Sequence, residues 1–281
     1  MNKRLPPWAK KTLGPSGPIH RMKAILRKRN LHTVCESARC PNIGECFAKP
    51  TATFMILGDL CTRTCGFCSV SKSRPVAPPD PDEPRNIAAT AAELGLRHVV
   101  ITSVTRDDLP GGGAAQFALT IKAIKDTIPN ISVEVLTPDF NGDVCALALV
   151  LDAGPDIFNH NLETVPSLYP KVRPQADYGR SLDVLRSAAG HGAATKSGIM
   201  VGLGERPEEV RGLLGDLAAA GCGSVTIGQY LRPTKESLEV VEYVTPETFS
   251  VYEQWGREAG IPKVYSGPFV RSSYNAERFV G

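Results

Sequence analysis

The chain has 281 residues, long enough for two average domains or for a single α/β barrel, and its 42% hydrophobic and 22% charged residues are ordinary globular values. Its longest apolar run, VCALALVL, has eight residues and is too short to cross a bilayer. A net charge of +3 hides an asymmetry, because residues 1–35 hold nine Lys or Arg and no acid, leaving about −6 on the remainder.

The opening stretch MNKRLPPWAKK is basic but lacks the apolar core of a secretory signal, so a cytoplasmic protein is expected. A basic arm can steer an acidic macromolecule, or it can simply be a solvated, partly mobile segment. Aromatics are sparse at 6% and no nucleic-acid motif follows, so neither nucleic acid nor membrane is expected as a partner.

In chain order, Cys35, Cys40 and Cys46 come first, in CESARCPNIGEC. TATFMIL (51–57) reads as a strand running into CTRTCGFC, which holds Cys61, Cys65 and Cys68. The Pro-rich SRPVAPPDPDEP (73–84) can be neither helix nor central strand. Helices are then expected at 85–95, 113–128, 143–154, 180–190, 206–221 and 245–260, with Gly95 closing the first and Pro207 opening the fifth. Strands are expected at 98–104, 132–138, 156–161, 195–202 and 224–231. Alternating strands and helices imply βαβ units with right-handed crossovers and parallel pairing. About six units are two short of a closed eight-fold barrel, so the expected class is α/β, a partial (β/α)6 barrel.

In parallel α/β folds the chemistry sits where strands end at their carboxyl side. Polar segments gather at five of those places: CTRTCGFC, TSVTRDD, NHNLET, GLGE and QYLRPT. Five in register indicate a site. GLGE reads as a close backbone approach to a bound group, although two glycines are a weak signal.

Eight cysteines in a chain of this size do not suggest a disulfide scaffold, and six of them crowd between positions 35 and 68. Cys145 and Cys222 stand apart as ordinary small apolar residues. Thiolate-rich sites admit zinc or iron–sulfur. His32 could complete a zinc set with the first triplet, but no histidine lies near the second. Three cysteines around a [4Fe–4S] cube leave one iron open, as a catalytic zinc keeps a free position, whereas an electron carrier normally closes its cluster with four.

C-x3-C-x2-C after the first strand of a partial barrel, with Phe67 before its last cysteine, resembles the signature of the radical S-adenosylmethionine enzymes. TVCESARCPNIGEC, TATFMILGD, HVVITSVTRDDLP, FNHNLETV, KSGIMVGLGE, TIGQYLRPT and SGPFVRSSYNAERF together are similar to the lipoyl synthase family, from about residue 31 to 279. The resemblance implies a radical-SAM barrel over residues 51–262, an N-terminal extension (1–50) with the auxiliary cysteines, and a C-terminal extension (263–281) with the RSSY serine. It implies two [4Fe–4S] clusters: one on Cys61, Cys65 and Cys68, where S-adenosylmethionine binds the open iron, and an auxiliary one on Cys35, Cys40, Cys46 and Ser273. It also implies the reaction, insertion of two sulfurs at carbons 6 and 8 of an octanoyl chain on a carrier lysine. The auxiliary cluster is the sulfur source, and two S-adenosylmethionines are used per lipoyl product.

Phe67, Ser103, Asn161, Glu163 and Lys196 are the candidate cofactor contacts, and Arg271 and Tyr274 flank Ser273 as residues that orient the ligand or pack. His160 is read as a structural strand-end residue. The implied partners are octanoylated lipoyl domains of 2-oxoacid dehydrogenases or the glycine-cleavage carrier, a reduced flavodoxin or ferredoxin, and an iron–sulfur cluster carrier. Ser37, Phe47, Gly111, Gln116, Arg232, Ser237 and Asn275 differ from the residues usual in the family, and none is a proposed iron ligand. Two other classes are weighed: a sulfur-inserting enzyme resembling biotin synthase, and an iron–sulfur carrier or zinc module. The former would not pair C-x4-C-x5-C with a C-terminal serine, and the latter would not leave three cysteines per site.

Overall fold

In a computed structural model the described residues are 4–11, 14, 16–49, 52–73, 76–274 and 276; Asn275 and residues 277–281 lie outside them. The chain forms two compact units that do not follow chain order. The first takes in the described residues of 13–63 and 69–158, the second those of 1–12, 64–68 and 159–274.

In the first unit, β1 (His32–Thr33) lies antiparallel to β2 (Thr53–Ile56), with His32 opposite Met55. Strand β2 runs parallel to β3 (His98–Ser103), and β3 parallel to β4 (Ser132–Leu136). Ile157 and Phe158 of β5 (Ile157–Asn159) follow β4 in the sheet order. All four residues of β2 are buried, and β3 is buried except at its two ends. Such continuous burial is what a parallel strand covered on both faces requires, and it explains why these strands read as apolar runs without alternation.

The helices of this unit are α1 (Ser16–Lys28), α2 (Glu83–Glu93), α3 (Ala114–Thr127) and α4 (Val144–Asp152). Asp143 caps α4, its carboxylate accepting from the backbone of Cys145 at 2.9 Å and Ala146 at 3.0 Å. Phe117 of α3 meets Phe140 edge-on at 6.1 Å.

Two expectations need correction here. Helix α2 begins inside the Pro-rich stretch, because Pro84 fits the first turn, where its missing N–H is no loss. Glu83 anchors that turn: its buried carboxylate accepts from Leu57 N at 3.0 Å and Gln116 Nε2 at 2.9 Å. The basic arm is not simply solvated either. Its second half is α1, with Met22 and Leu26 buried and Lys23 paired to Glu36 at 3.2 Å. Only two apolar positions bury, so charge hid the helix in the sequence.

In the second unit, Asn159 is followed by β6 (Thr195–Val201), β7 (Ser224–Gln229) and β8 (Lys263–Gly267), with β6–β7 and β7–β8 parallel. Helices α5 (Tyr178–Gly190), α6 (Pro207–Ala219) and α7 (Pro246–Glu258) accompany them. Asp177 caps α5 and Thr245 caps α7 through their side-chain oxygens. Ile199, Val201, Leu213, Leu214, Val225 and Ile227 belong to the buried core. Among the described residues β8 is a seventh parallel strand beyond the six expected; only Val264 of its five residues is buried, so it carries no apolar run to read.

No helix among the described residues is long and apolar enough to cross a membrane. Gly228 in β7 lets the C-terminal segment approach, because a Cβ there would overlap the Val270 carbonyl oxygen. Gly228→Ala should therefore displace the 268–274 segment, at a cost of roughly 1–3 kcal/mol. Hydrogen exchange should show lost protection around Tyr274 with the core of β7 unchanged, and equal protection in both proteins would contradict the close approach.

Candidate functional site

The first cysteine triplet lies in the first unit. Thr33 caps the short helix Val34–Ser37 that carries Cys35, and Cys40 N bonds back to Cys35 O at 3.1 Å. Cys46 follows on the helix Ile43–Ala48. Cys35 is buried, while Cys40 and Cys46 are half-buried. Burial pushes the Cys35 thiol up to about 12, and the charges of Cys40 and Cys46 act in the same direction. A hydrogen bond from the Thr53 backbone acts the other way.

Cys61 ends a two-residue ladder, Leu60–Cys61 with Ser71–Lys72. The next residues are tied to strand ends of the same unit. Thr62 N and Oγ1 both donate to Thr105 O at 3.0 Å, and Asp107 N donates to Thr62 Oγ1 at 3.1 Å. Arg63 is only 4% exposed and donates Nε and Nη2 to Asp107 at 2.8 and 2.9 Å. Its Nη2 also reaches Asp139 Oδ1 and Asn141 Oδ1, each at 2.7 Å. Bidentate charge-assisted bonds of this kind fix geometry as well as adding energy. The two carboxylates hold the guanidinium well above its usual range despite its burial. The Arg63 backbone N–H faces Cys61 Sγ at 3.5 Å.

The remainder of the loop belongs to the second unit. Gly66 N donates to Val172 O and Leu238 N to Gly66 O, each at 2.9 Å, and a Cβ at Gly66 would press into Leu238. Phe67 packs on the buried cluster of Val172, Leu203 and Tyr230. Cys61, Cys65 and Cys68 are all half-exposed thiols. Among the described residues no three or more His, Cys, Asp or Glu side chains already stand gathered to hold a metal ion.

NHNLET departs from the strand expected at 156–161. Strand β5 stops at Asn159, and the chain bulges before Glu163 rejoins β6 opposite Ile199. Ser197 pins the bulge, donating to His160 O at 2.9 Å and accepting from Leu162 N at 3.3 Å. Arg173 Nη1 holds the carbonyls of Asn161 at 2.9 Å and Leu162 at 3.1 Å. Glu163 takes φ +65°, a conformation that non-glycine residues adopt at strained, over-determined places. Asn161 Nδ2 donates to Glu163 Oε1 at 3.1 Å and to Ser272 Oγ at 3.3 Å, while its Oδ1 is buried without a hydrogen-bond partner. Burial raises the Glu163 carboxyl, with Arg173, Asn161 and Arg271 partly offsetting it.

Ser103 closes β3 in the first unit, and its Oγ is likewise buried without a partner. Lys196 is fully buried in β6, its carbonyl accepting from His160 N at 3.1 Å. His160 is itself buried. Ser273 lies in a turn closed by Tyr274 N donating to Arg271 O at 3.0 Å. Lys11 sits over the rings of Phe269 and Tyr274 at 5.3 and 5.2 Å. The GLGE reading changes: the Glu205 carboxylate itself accepts from Gly202 N and Leu203 N, so the loop's amides are turned to their own side chain.

Asn161 Oδ1 in the second unit and Ser103 Oγ in the first are each a buried oxygen without a hydrogen-bond partner, a kind of atom that a donor would satisfy. Ser197 and Arg173 carry no sequence signal, because Ser in a strand and Arg after a short helix have no pattern of their own. Arg63 and Asp107 could have been found, since both lie inside polar strand-end segments.

The sequence matches the model of the radical SAM superfamily over residues 55–217 and that of the N-terminal domain of lipoyl synthase over residues 1–40. Among solved structures, methylornithine synthase covers 92% of this chain and 80% of its own at 14% identity, with a TM-score of 0.54. Streptococcus suis SuiB bound to S-adenosylmethionine covers 80% and 53% at 12% identity, with a TM-score of 0.59. These likenesses show the fold, a partial α/β barrel of mostly parallel strands, and the family match over residues 55–217 makes the chain a radical SAM enzyme.

The lipoyl synthase of Oleidesulfovibrio alaskensis is 52% identical over 99% of this chain and 95% of its own length. That of Nitratidesulfovibrio vulgaris is 54% identical over 98% and 92%, and that of Caldanaerobacter subterraneus 54% over 99% and 97%. The chain belongs to the lipoyl synthase family.

Because Glu163 is raised by burial, its charged form is the costly one. A carboxyl whose folded pKa lies above its unfolded value favours the fold most at low pH and loses that advantage as pH rises through the folded pKa. Glu163→Gln should therefore gain melting temperature relative to the parent progressively as pH rises above the ordinary glutamate pKa of about 4.3. A difference that does not change with pH would contradict the burial argument.

Proposed function

We propose that this chain inserts two sulfur atoms at carbons 6 and 8 of an octanoyl chain carried on a protein lysine, giving the lipoyl group. The observation that carries the reading is near full-length identity above half with lipoyl synthases, in a chain that holds both cysteine triplets and RSSY. In this reading Cys61, Cys65 and Cys68 would hold the [4Fe–4S] cluster that binds S-adenosylmethionine. Cys35, Cys40, Cys46 and Ser273 would hold the auxiliary one, with the cysteines in the N-terminal segment 1–50 and the serine in 263–281. When bound, the clusters supply the electron that cleaves S-adenosylmethionine and the sulfur for both C–S bonds.

The chain's own residues do the binding and shaping. Asn161 and Glu163, held by Ser197 and Arg173, offer an acceptor and a carboxylate to the amine and hydroxyls of S-adenosylmethionine, with Ser103 and Lys196 as further polar contacts. Phe67 closes the apolar side of the loop. Arg271 and Tyr274 orient Ser273, an oxygen ligand hard enough to leave a soft cluster readily. Two S-adenosylmethionines are used per product. An octanoylated carrier domain, a reduced flavodoxin or ferredoxin and a cluster carrier complete the set, in a cytoplasmic setting that suits free thiols.

Anaerobic reaction with an octanoyl-lysine peptide, S-adenosylmethionine and reductant should yield peptide heavier by two sulfurs and lighter by two hydrogens once oxidised to the disulfide. Ala at 61, 65 and 68 together should end 5′-deoxyadenosine release. Ala at 35, 40 and 46 should leave release but end sulfur insertion. Lipoyl product from the second variant would refute the auxiliary assignment, and an unmodified peptide from fully loaded parent enzyme would refute the activity.

A further inference from the structure

We infer that Arg63 is a positioning residue for the cluster proposed on its loop: its clamped side chain fixes the Arg63 backbone N–H against Cys61 Sγ and thereby tunes the reduction potential of that cluster. The inference rests on the reading that Cys61, Cys65 and Cys68 are ligands, and it goes further by naming what sets their electronic environment. Hydrogen bonds to ligating sulfur and nearby charge are the levers by which a protein moves the potential of an iron–sulfur cluster.

The geometry supplies both levers. The N–H lies 3.5 Å from Cys61 Sγ, and the residue that carries it cannot swing, because its guanidinium makes four bonds of 2.7 to 2.9 Å to Asp107, Asp139 and Asn141. Asn141 is itself fixed, its N donating to Asp139 Oδ1 at 3.2 Å and its Nδ2 to Asp107 Oδ1 at 3.0 Å. Thr62, between Cys61 and Arg63, is tied to Thr105 and Asp107. One cation and two carboxylates leave the network with one net negative charge, and Asp139 is fully buried, so little water screens it.

A buried ion pair can also serve the fold alone, as such pairs often do. The two roles separate by sign. Arg63→Gln removes the cation and the fork, which leaves two negative charges and a freer N–H, so adding an electron becomes harder. Asp139→Asn keeps an oxygen for Nη2 but removes a negative charge, so adding an electron becomes easier. A fold-only role moves neither potential.

The experiment uses the full-length chain with Ala at 35, 40 and 46, so that the loop's cluster alone is read. Iron per chain and the midpoint potential, followed by the electron paramagnetic resonance of the reduced cluster, are measured for this parent and for each variant in it. The parent should load about four irons; a parent that loads none refutes the ligand assignment and leaves the Arg63 geometry aside as its own question. Given a loaded parent, Arg63→Gln should shift the potential negative and weaken iron retention or 5′-deoxyadenosine release by about 10–100-fold. Asp139→Asn should shift the potential positive while holding its iron. Shifts of the same sign, or parental potentials in both variants, overturn the inference. Should Arg63→Gln fail to fold, an unshifted Asp139→Asn overturns it alone.

Discussion

A parallel strand covered on both faces is open to solvent and ligands only where it ends. Every residue of β2 and of β7 is buried, so chemistry is pushed into the segments that follow the strands. Those segments cannot be ordinary flexible loops, because hydrogen bonds tie them to their neighbours. Thr62 is bonded to Thr105, Gly66 to Val172 and Leu238, and Asn161 and Leu162 to Arg173. The same burial that makes the sheet stable therefore fixes where the second cysteine triplet and the polar strand-end residues can be displayed.

The anchors differ in kind, although both are buried. Around Cys61 the anchor is charged, a guanidinium among two carboxylates and an amide. Around Asn161 it is a hydroxyl and a guanidinium on backbone carbonyls, and one amide oxygen is left without a partner. A fully satisfied network makes a rigid frame, whereas a buried unsatisfied acceptor is a place that a ligand's donor can improve. The charged frame and the unsatisfied acceptor sit in different segments.

The C-terminal turn adds a third kind of attachment. Arg271 bears on Glu163, Ser272 accepts from Asn161, and Lys11 lies over Phe269 and Tyr274. Ser272 is thus committed to the strand-end amide while its neighbour Ser273 is carried in the turn, and adjacent serines of identical chemistry are told apart by what they touch.

By itself the sequence determined the local matters. The period of apolar runs set strands and helices to within a few residues, and the two cysteine spacings identified the chemistry, because ligand number and separation along the chain are local quantities. Helix α2 starts two residues before the expected 85–95: prolines look like breakers, yet Pro84 sits in a first turn that needs no N–H. Strand β8 was invisible because a single buried residue leaves no pattern. The tertiary structure alone decided which polar residues support the site. Arg63 and Asp139 are 76 residues apart and Asn161 and Ser272 are 111 apart, and no pattern of propensity or charge reports such partners. Only the packing of covered strands, which fixes where each ends, brings those side chains into bonding distance.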